Sequence, residues 1–314
     1  MKKKQGVNII ACGLYLPKQK VTNEVLEKKL NLPSDFIFSR TGIKERYYTI
    51  EETVEEMAIK AVENLKEKVM NKIDFEKIEM ILVATTSPNY IMPGISFQIQ
   101  AKLGIQNCIC MDFLAGCAGF INAFDVAHCY MVAGKIQNAL IIGVDQLSKY
   151  TDSEDINTKV LLSDGAGVVY IEKSEQEKLY ASRIESNGER GAILTCKTKE
   201  FISMDGKKIY QYAVTDTVKN AGELLKEAEI TIEEIDYFIP HQSNLKMIKS
   251  ISNRLSILME KVYTNLEQVG NTFCASIPIA LCEMQDKGLL KKNQKILLLG
   301  YGGGLNTGSI LLEL

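Results

Sequence analysis

Short β-branched and apolar runs alternate along the chain with longer stretches whose apolar positions recur every three or four residues. Val7–Cys12 and Met80–Ala84 read as buried strands. One helix follows the Thr22 cap and another covers Thr53–Val69. Alternation of this kind predicts an α/β fold. The pattern also repeats. IDFEKIEMILVATTS (Ile73–Ser87) matches ITIEEIDYFIPHQSN (Ile230–Asn244), each an acidic turn leading into a buried strand. Ile78 and Cys117 are 39 residues apart, as are Ile235 and Cys274. ALIIG (Ala139–Gly143) falls opposite ILLLG (Ile296–Gly300) at a displacement of 157, half of the 314 residues. Both units end in a glycine followed by an apolar strand, GVVYIE at Gly167 and GSILLEL at Gly308. The chain therefore reads as a duplicated α/β unit, residues 1–173 and 174–314. Leu179–Lys208 supplies the connection and the first strand of the second unit.

Composition narrows the function classes. Lys+Arg total 37 against 39 Asp+Glu, for a net charge of −2, which removes the electrostatic case for a nucleic-acid binder. Two histidines, His128 and His241, argue against a His-rich metal site, and no metal is expected. Eight cysteines in 314 residues do not make a disulfide framework. The stretch after MKKKQG is too short for a signal h-region, and no apolar run is long enough for a membrane span, so the expected setting is the cytoplasm with reduced thiols.

Four segments carry candidate chemistry. Cys117 lies among small residues in AGCAGF at a helix start, where unpaired N–H groups and the helix dipole are expected to favour a thiolate. His241 follows the strand ending at Pro240, and strand carboxyl ends are where α/β proteins bind ligands. By residue type alone it suits an acid, a base, a donor or a histidine satisfied in the core. His128, mid-helix beside Cys129, reads as packing or surface. Asn271 sits in GNT, which alone marks a turn. Gly302–Gly304 form a glycine run able to point N–H groups into a site, but without the G-K-[ST] of a phosphate loop.

Together these segments resemble the β-ketoacyl-acyl-carrier-protein synthase III family of thiolase-fold condensing enzymes. SRTGIKERY at Ser39, ATTSPNYIMPG at Ala84, CAGF at Cys117, LLSDGAG at Leu161, MDGKKIYQYAV at Met204, PHQSNLKMI at Pro240, GNTFCASIP at Gly270 and YGGGLNTGS at Tyr301 carry the likeness in order. The resemblance implies two βαβαβαββ halves in a five-layered αβαβα arrangement. It further implies a decarboxylating condensation of an acyl-CoA with malonyl-acyl-carrier protein by a cytoplasmic homodimer, with no cofactor beyond the coenzyme A thioester substrate and no membrane contact. In that scheme Cys117 holds the acyl group, Cys117 and Gly303 supply the oxyanion hole, and His241 and Asn271 stabilise the enolate. Phe36, Arg40, Lys149, Met204, Gly206, Asn244 and Tyr301 would bind coenzyme A or substrate.

Departures bear on the substrate. Phe36 and Thr307 stand where relatives carry Trp, and Lys149 where many carry Arg. Met92 stands where a partner subunit's Phe closes the acyl pocket. Lys246, Lys249 and Arg254 follow His241 with no acidic residue between Gln242 and Met259, which suggests a docking face for an acidic carrier protein or simply a solvated helix face. Cys274, three residues past Asn271, reads as packing. The alternative function is acyl transfer to an alcohol or amine without decarboxylation.

Overall fold

The computed structural model describes residues 4–70 and 72–314. The first half contains β1 (Lys4–Tyr15), β2 (Gln19–Thr22), α1 (Asn23–Lys29), α2 (Phe36–Thr41), β3 (Glu45–Tyr48), α3 (Val54–Val69), β4 (Met80–Ala84), α4 (Ile95–Leu103), β5 (Ile109–Phe113), α5 (Gly119–Val132), β6 (Asn138–Asp145), α6 (Ile156–Lys159) and β7 (Gly165–Lys178). The second contains β8 (Tyr180–Ser186), β9 (Leu194–Thr195), β10 (Ser203–Met204), α7 (Gly206–Ala228), β11 (Tyr237–Pro240), α8 (Leu245–Arg254), α9 (Leu266–Val269), α10 (Ser276–Asp286), β12 (Lys295–Gly302) and β13 (Asn306–Glu313).

Local signals account for several boundaries. Thr53 starts α3 through a capping box, its hydroxyl accepting Glu56 N–H while the Glu56 carboxylate accepts Thr53 N–H. Thr22 has the backbone of an N-cap without a side-chain cap bond. Strand β7 runs on to Lys178, across the expected seam between 173 and 174.

Two sheets form the frame. The first has the order β1-β7-β6-β4-β5, with β6, β4 and β5 mutually parallel and β7 antiparallel to both neighbours. The second, β8-β13-β12-β11, repeats that pattern with one strand fewer. Its missing edge is reduced to a parallel bridge between Phe238 and Val262. Helices α5 and α10 lie between the sheets, α3 and α4 cover the outer face of the first, and α7 and α8 cover that of the second. These are the five expected layers. The buried side chains divide accordingly, one cluster between the sheets and one under each outer helical layer.

Paired glycines let the central helices seat closely. Gly143 opposes Gly167 in the first sheet, and a Cβ at Gly143 would lie 2.1 Å from the Cys274 carbonyl oxygen. Gly300 opposes Gly308 in the second, where added Cβ atoms would strike Ile121 at 2.9 and 2.7 Å. Each sheet thus admits the start of the other half's central helix. This brings the Cys117 and Cys274 turns together in mid-molecule, where the Cys274 thiol donates to the Gly116 carbonyl at 3.0 Å.

Candidate active site

Cys117 occupies a short helical turn, Gly116–Ala118, between β5 and α5. Gly116 has a φ of 57°, and a side chain there would meet the Gly303 carbonyl oxygen at 2.5 Å. Gly302, the last residue of β12, lies on the other side; its Cβ would sit 2.8 Å from that of Cys117. These two glycines let the β12–β13 turn press against the thiol. The backbone N–H groups of Cys117 and Gly303 act on the sulfur and favour its anion. Burial is the larger effect, with the Asp145 charge adding to it, and the thiol is pushed well above its ordinary range. The expected resting thiolate is therefore corrected. Helix α5 proper begins only at Gly119, and desolvation outweighs the N–H groups.

His241 continues β11, its N–H donating to the Leu299 carbonyl of β12 at 2.7 Å. The side chain is 2 % exposed, and burial lowers its pKa to about 3, so the ring is neutral at physiological pH. Ser276 Oγ lies 2.7 Å from Nδ1, and the Tyr301 ring meets the imidazole edge-on at 5.4 Å. If the Ser276 hydroxyl donates to Nδ1, the proton of the neutral ring resides on Nε2. Tyr301 is itself fixed through a 2.6 Å bond to Ser243.

Asn271 is held by its backbone to residues 161–163. Its N–H donates to Leu161 O at 3.0 Å, and Ser163 N–H donates to its carbonyl at 2.9 Å. Its Oδ1 accepts Phe273 N–H at 3.1 Å, leaving Nδ2 as the donor for an occupant. The 161–163 segment is anchored in turn by fully buried Arg46, which donates to Val21 O and Val160 O at 3.1 and 3.0 Å.

Cys117, His241 and Asn271 line one cavity of about 50 Å³, together with Met204, Asn244, Tyr301 and Gly302. Its remaining wall is mostly apolar, and Cys117 belongs to one buried cluster with Leu147, Leu162, Ile202 and Phe273. The arrangement offers a nucleophile, two neutral donors and a mostly apolar pocket, and among its lining residues no carboxylate stands as a base.

Other expected residues lie outside the cavity. On α2 the Arg40 guanidinium covers the Phe36 ring at 4.0 Å, and Asn244 Nδ2 reaches the Arg40 carbonyl at 3.3 Å, which ties this helix to the cavity wall. Lys149 is exposed and donates to Asn89 Oδ1 at 2.6 Å. Gly206 is the exposed first residue of α7, with open space around it. Met92 is 79 % exposed in the segment before α4. Lys246, Lys249 and Arg254 are exposed on α8 and form no ion pair among the described residues. Thr307 is buried and hydrogen-bonded to the hydroxyl of Tyr212, a cavity residue. Cys274 is buried packing, as expected. Sequence reasoning missed Ser276, Arg46 and the apolar wall; only the small residues beside Cys117 and Asn271 and the Gly302–Gly304 run hinted at such close contacts.

Known proteins share the sequence pattern and the fold of this chain. Residues 111–188 match the family model described as 3-oxoacyl-[acyl-carrier-protein] synthase III, and residues 225–314 match the model of its C-terminal part. The chain is 36% identical to the beta-ketoacyl-[acyl-carrier-protein] synthase III of Clostridium acetobutylicum, covering 98% of each sequence. Crystal structures of the corresponding synthases from Aquifex aeolicus and Thermus thermophilus superpose with TM-scores of 0.94 and 0.92, at 37% and 32% identity. Coverage is 98% of this chain in both cases, against 100% and 99% of theirs. The chain therefore belongs to the β-ketoacyl-acyl-carrier-protein synthase III family and has its thiolase-like fold.

Proposed function

We infer that this protein is the acyltransferase that condenses an acyl-CoA primer with malonyl-acyl-carrier protein, releasing CO2 and forming a 3-oxoacyl-acyl-carrier protein, in fatty acid initiation or a related pathway. The observation that carries the residue roles is the convergence of Cys117, His241 and Asn271 on one apolar cavity, with two N–H groups directed at the sulfur.

In the first stage Cys117 sulfur bonds to the acyl carbonyl carbon, the carbon–sulfur bond to coenzyme A breaks, and the thiol proton passes to the departing sulfur. The Cys117 and Gly303 N–H groups hold the developing oxyanion. In the second stage malonyl-carrier protein loses CO2. His241 Nε2–H and Asn271 Nδ2–H donate to the enolate oxygen. Both donors are neutral, so neither quenches the carbanion by ready proton transfer. The carbanion bonds to the acyl carbonyl carbon, and the Cys117 sulfur leaves and takes up a proton.

Leu147, Leu162, Ile202 and Phe273 form the acyl pocket in this reading, and the Phe36–Arg40 stack offers a surface for the adenine end of coenzyme A. Exposed Lys246, Lys249 and Arg254 receive the acidic carrier protein. A second copy of the chain would cover exposed Tyr90, Ile91, Met92, Phe97 and Leu114, beside the free edge of β5, and bring Met92 towards the partner's acyl pocket. The eight free thiols suit the cytoplasm.

The test offers a panel of acyl-CoAs with malonyl-carrier protein and reads CO2 release and product mass. A 3-oxoacyl product two carbons longer than the primer supports condensation. Acylation of Cys117 with transfer to an alcohol or amine, and no CO2, replaces it with simple acyl transfer.

A further inference from the structure

Well away from the cavity, helix α5 presents Asp125, His128 and Cys129 on one face, the i, i+3 and i+4 positions of a single turn. One donor atom from each lies within 4.8 Å of the other two. Cys117 precedes Cys129 by twelve residues, about 18 Å at the helical rise per residue. The cluster is therefore separate from the acyl chemistry. We propose that Asp125, His128 and Cys129 bind a single divalent cation of the zinc class.

The ligand set suits such an ion. Imidazole, thiolate and carboxylate are its usual donors, and a tetrahedral shell with bonds of about 2.0–2.3 Å sets donors roughly 3.3–3.8 Å apart, a contraction that side-chain rotation supplies from a spacing within 4.8 Å. Tyr180 of β8 supplies the supporting contacts. Its ring stacks on His128 with centroids 3.5 Å apart, fixing the imidazole plane, and its hydroxyl donates to Asp125 Oδ1 at 3.1 Å. That bond leaves Asp125 Oδ2 for the ion and orients the carboxylate from the outer shell.

The surroundings are electronegative. The three residues border a cavity of about 900 Å³ that is also lined by Glu227 and Glu229. The C-terminal end of α7 reaches the same cavity through Ala228, and α5 ends at Val132, also in its wall, so two helix carbonyl ends face it. Arg183, an ion-pair partner of the cavity's Glu227, is also engaged by Glu185 and Glu223. Desolvation and then Asp125 push the Cys129 thiol up in the absence of a cation. A bound cation reverses that balance, and Cys129 gives its proton to solvent on coordination.

The test titrates the full protein with Co2+ as a spectroscopic substitute and then displaces it with Zn2+. One equivalent should bind and give a near-ultraviolet thiolate-to-metal charge-transfer band that Zn2+ abolishes. Cys129→Ser, at an exposed position, should remove the band, and Asp125→Asn or His128→Gln should weaken binding by about 10-fold or more. Acylation of Cys117 should be unchanged in the Cys129→Ser protein. Absence of stoichiometric binding, or a charge-transfer band that persists in the Cys129→Ser protein because another thiol such as exposed Cys196 binds the metal, overturns the proposal.

Discussion

Cys117 and Cys274 occupy equivalent places, 157 residues apart, each in a short helical turn before a central helix. Their environments differ at the matching end of the sheet. Gly302 sits beside Cys117 at the end of β12. The corresponding residue of the first half, again 157 positions earlier, is Asp145 at the end of β6. The Asp145 carboxylate accepts Cys274 N–H at 3.0 Å and also bonds Thr86 and Ser87. A first-half carboxylate thus fills the N–H groups of the second half's Cys274 turn, whereas a second-half glycine leaves the Cys117 turn of the first half open. The connections diverge as well. Only residues 303–305 join β12 to β13, a turn tight enough to aim Gly303 N–H at the sulfur. Residues 146–164 join β6 to β7, and this long loop carries Leu161 and Leu162 over the cavity and holds Asn271. The same local geometry leaves a thiol open to a ligand where a glycine keeps room, and closes one off where a carboxylate fills the space.

The strongest break in this comparison exchanges the two thiols. Cys117→Ala should reduce condensation by at least about 10³-fold, since the covalent intermediate is lost. Cys274→Ala should leave turnover within a few-fold and cost about 1–2 kcal/mol of stability, measured by denaturant unfolding. Equal losses in both would erase the distinction.

Next in size are the donors. His241→Ala or Asn271→Ala should lower CO2 release about 10²–10³-fold, the cost of deleting one preorganised donor, while Cys117 still acylates in a single-turnover assay. A matching fall in acylation would place these side chains in the first stage instead.

Transplanting bulk into the open turn tests the role of space. Gly302→Ala places a methyl 2.8 Å from the Cys117 Cβ, so acylation should fall about 10-fold or more with about 1–3 kcal/mol of destabilisation. Asp145→Asn should act mainly on stability, by about 1.5–3 kcal/mol, because an amide cannot accept all the donors that the carboxylate now serves.

Titration gives the smallest and most continuous effect. The Cys117 thiol is raised, so its alkylation rate should climb with pH and reach no plateau below about pH 9. His241 is lowered to about 3, so decarboxylation should show no inflection near the ordinary histidine value of about 6.5. The same shift favours the unfolded state in acid. An unfolded histidine binds its proton near 6.5 and the folded one not until about 3, so His241 withdraws stability as pH falls through that window.

The duplication was legible because β4 through β6 and β11 through β12 keep identical spacing, and the periodicity of buried strands survives divergence. The three candidate residues were legible because each stands in a distinctive motif, Cys117 and His241 at strand-to-helix junctions and Asn271 between α9 and α10. The register of spacing fails beyond β12, where a loop replaced a turn, and so the seam at 173 misses the true end of β7. The protonation of Cys117 was not legible, since residue order shows a helix start but not the depth at which the thiol is buried. The apolar wall was missed for a similar reason. Its leucines Leu161 and Leu162 belong to the long loop of the first half yet line a cavity walled largely by the second.

The most direct measurement incubates the wild-type protein and the Cys117→Ala and Cys274→Ala variants with an acyl-CoA, then locates the adduct by peptide mass spectrometry. One acyl group on Cys117 in the wild-type and Cys274→Ala proteins, and none in Cys117→Ala, is the expected result. Acyl on Cys274, or no adduct on Cys117 with any acyl-CoA, would contradict the account.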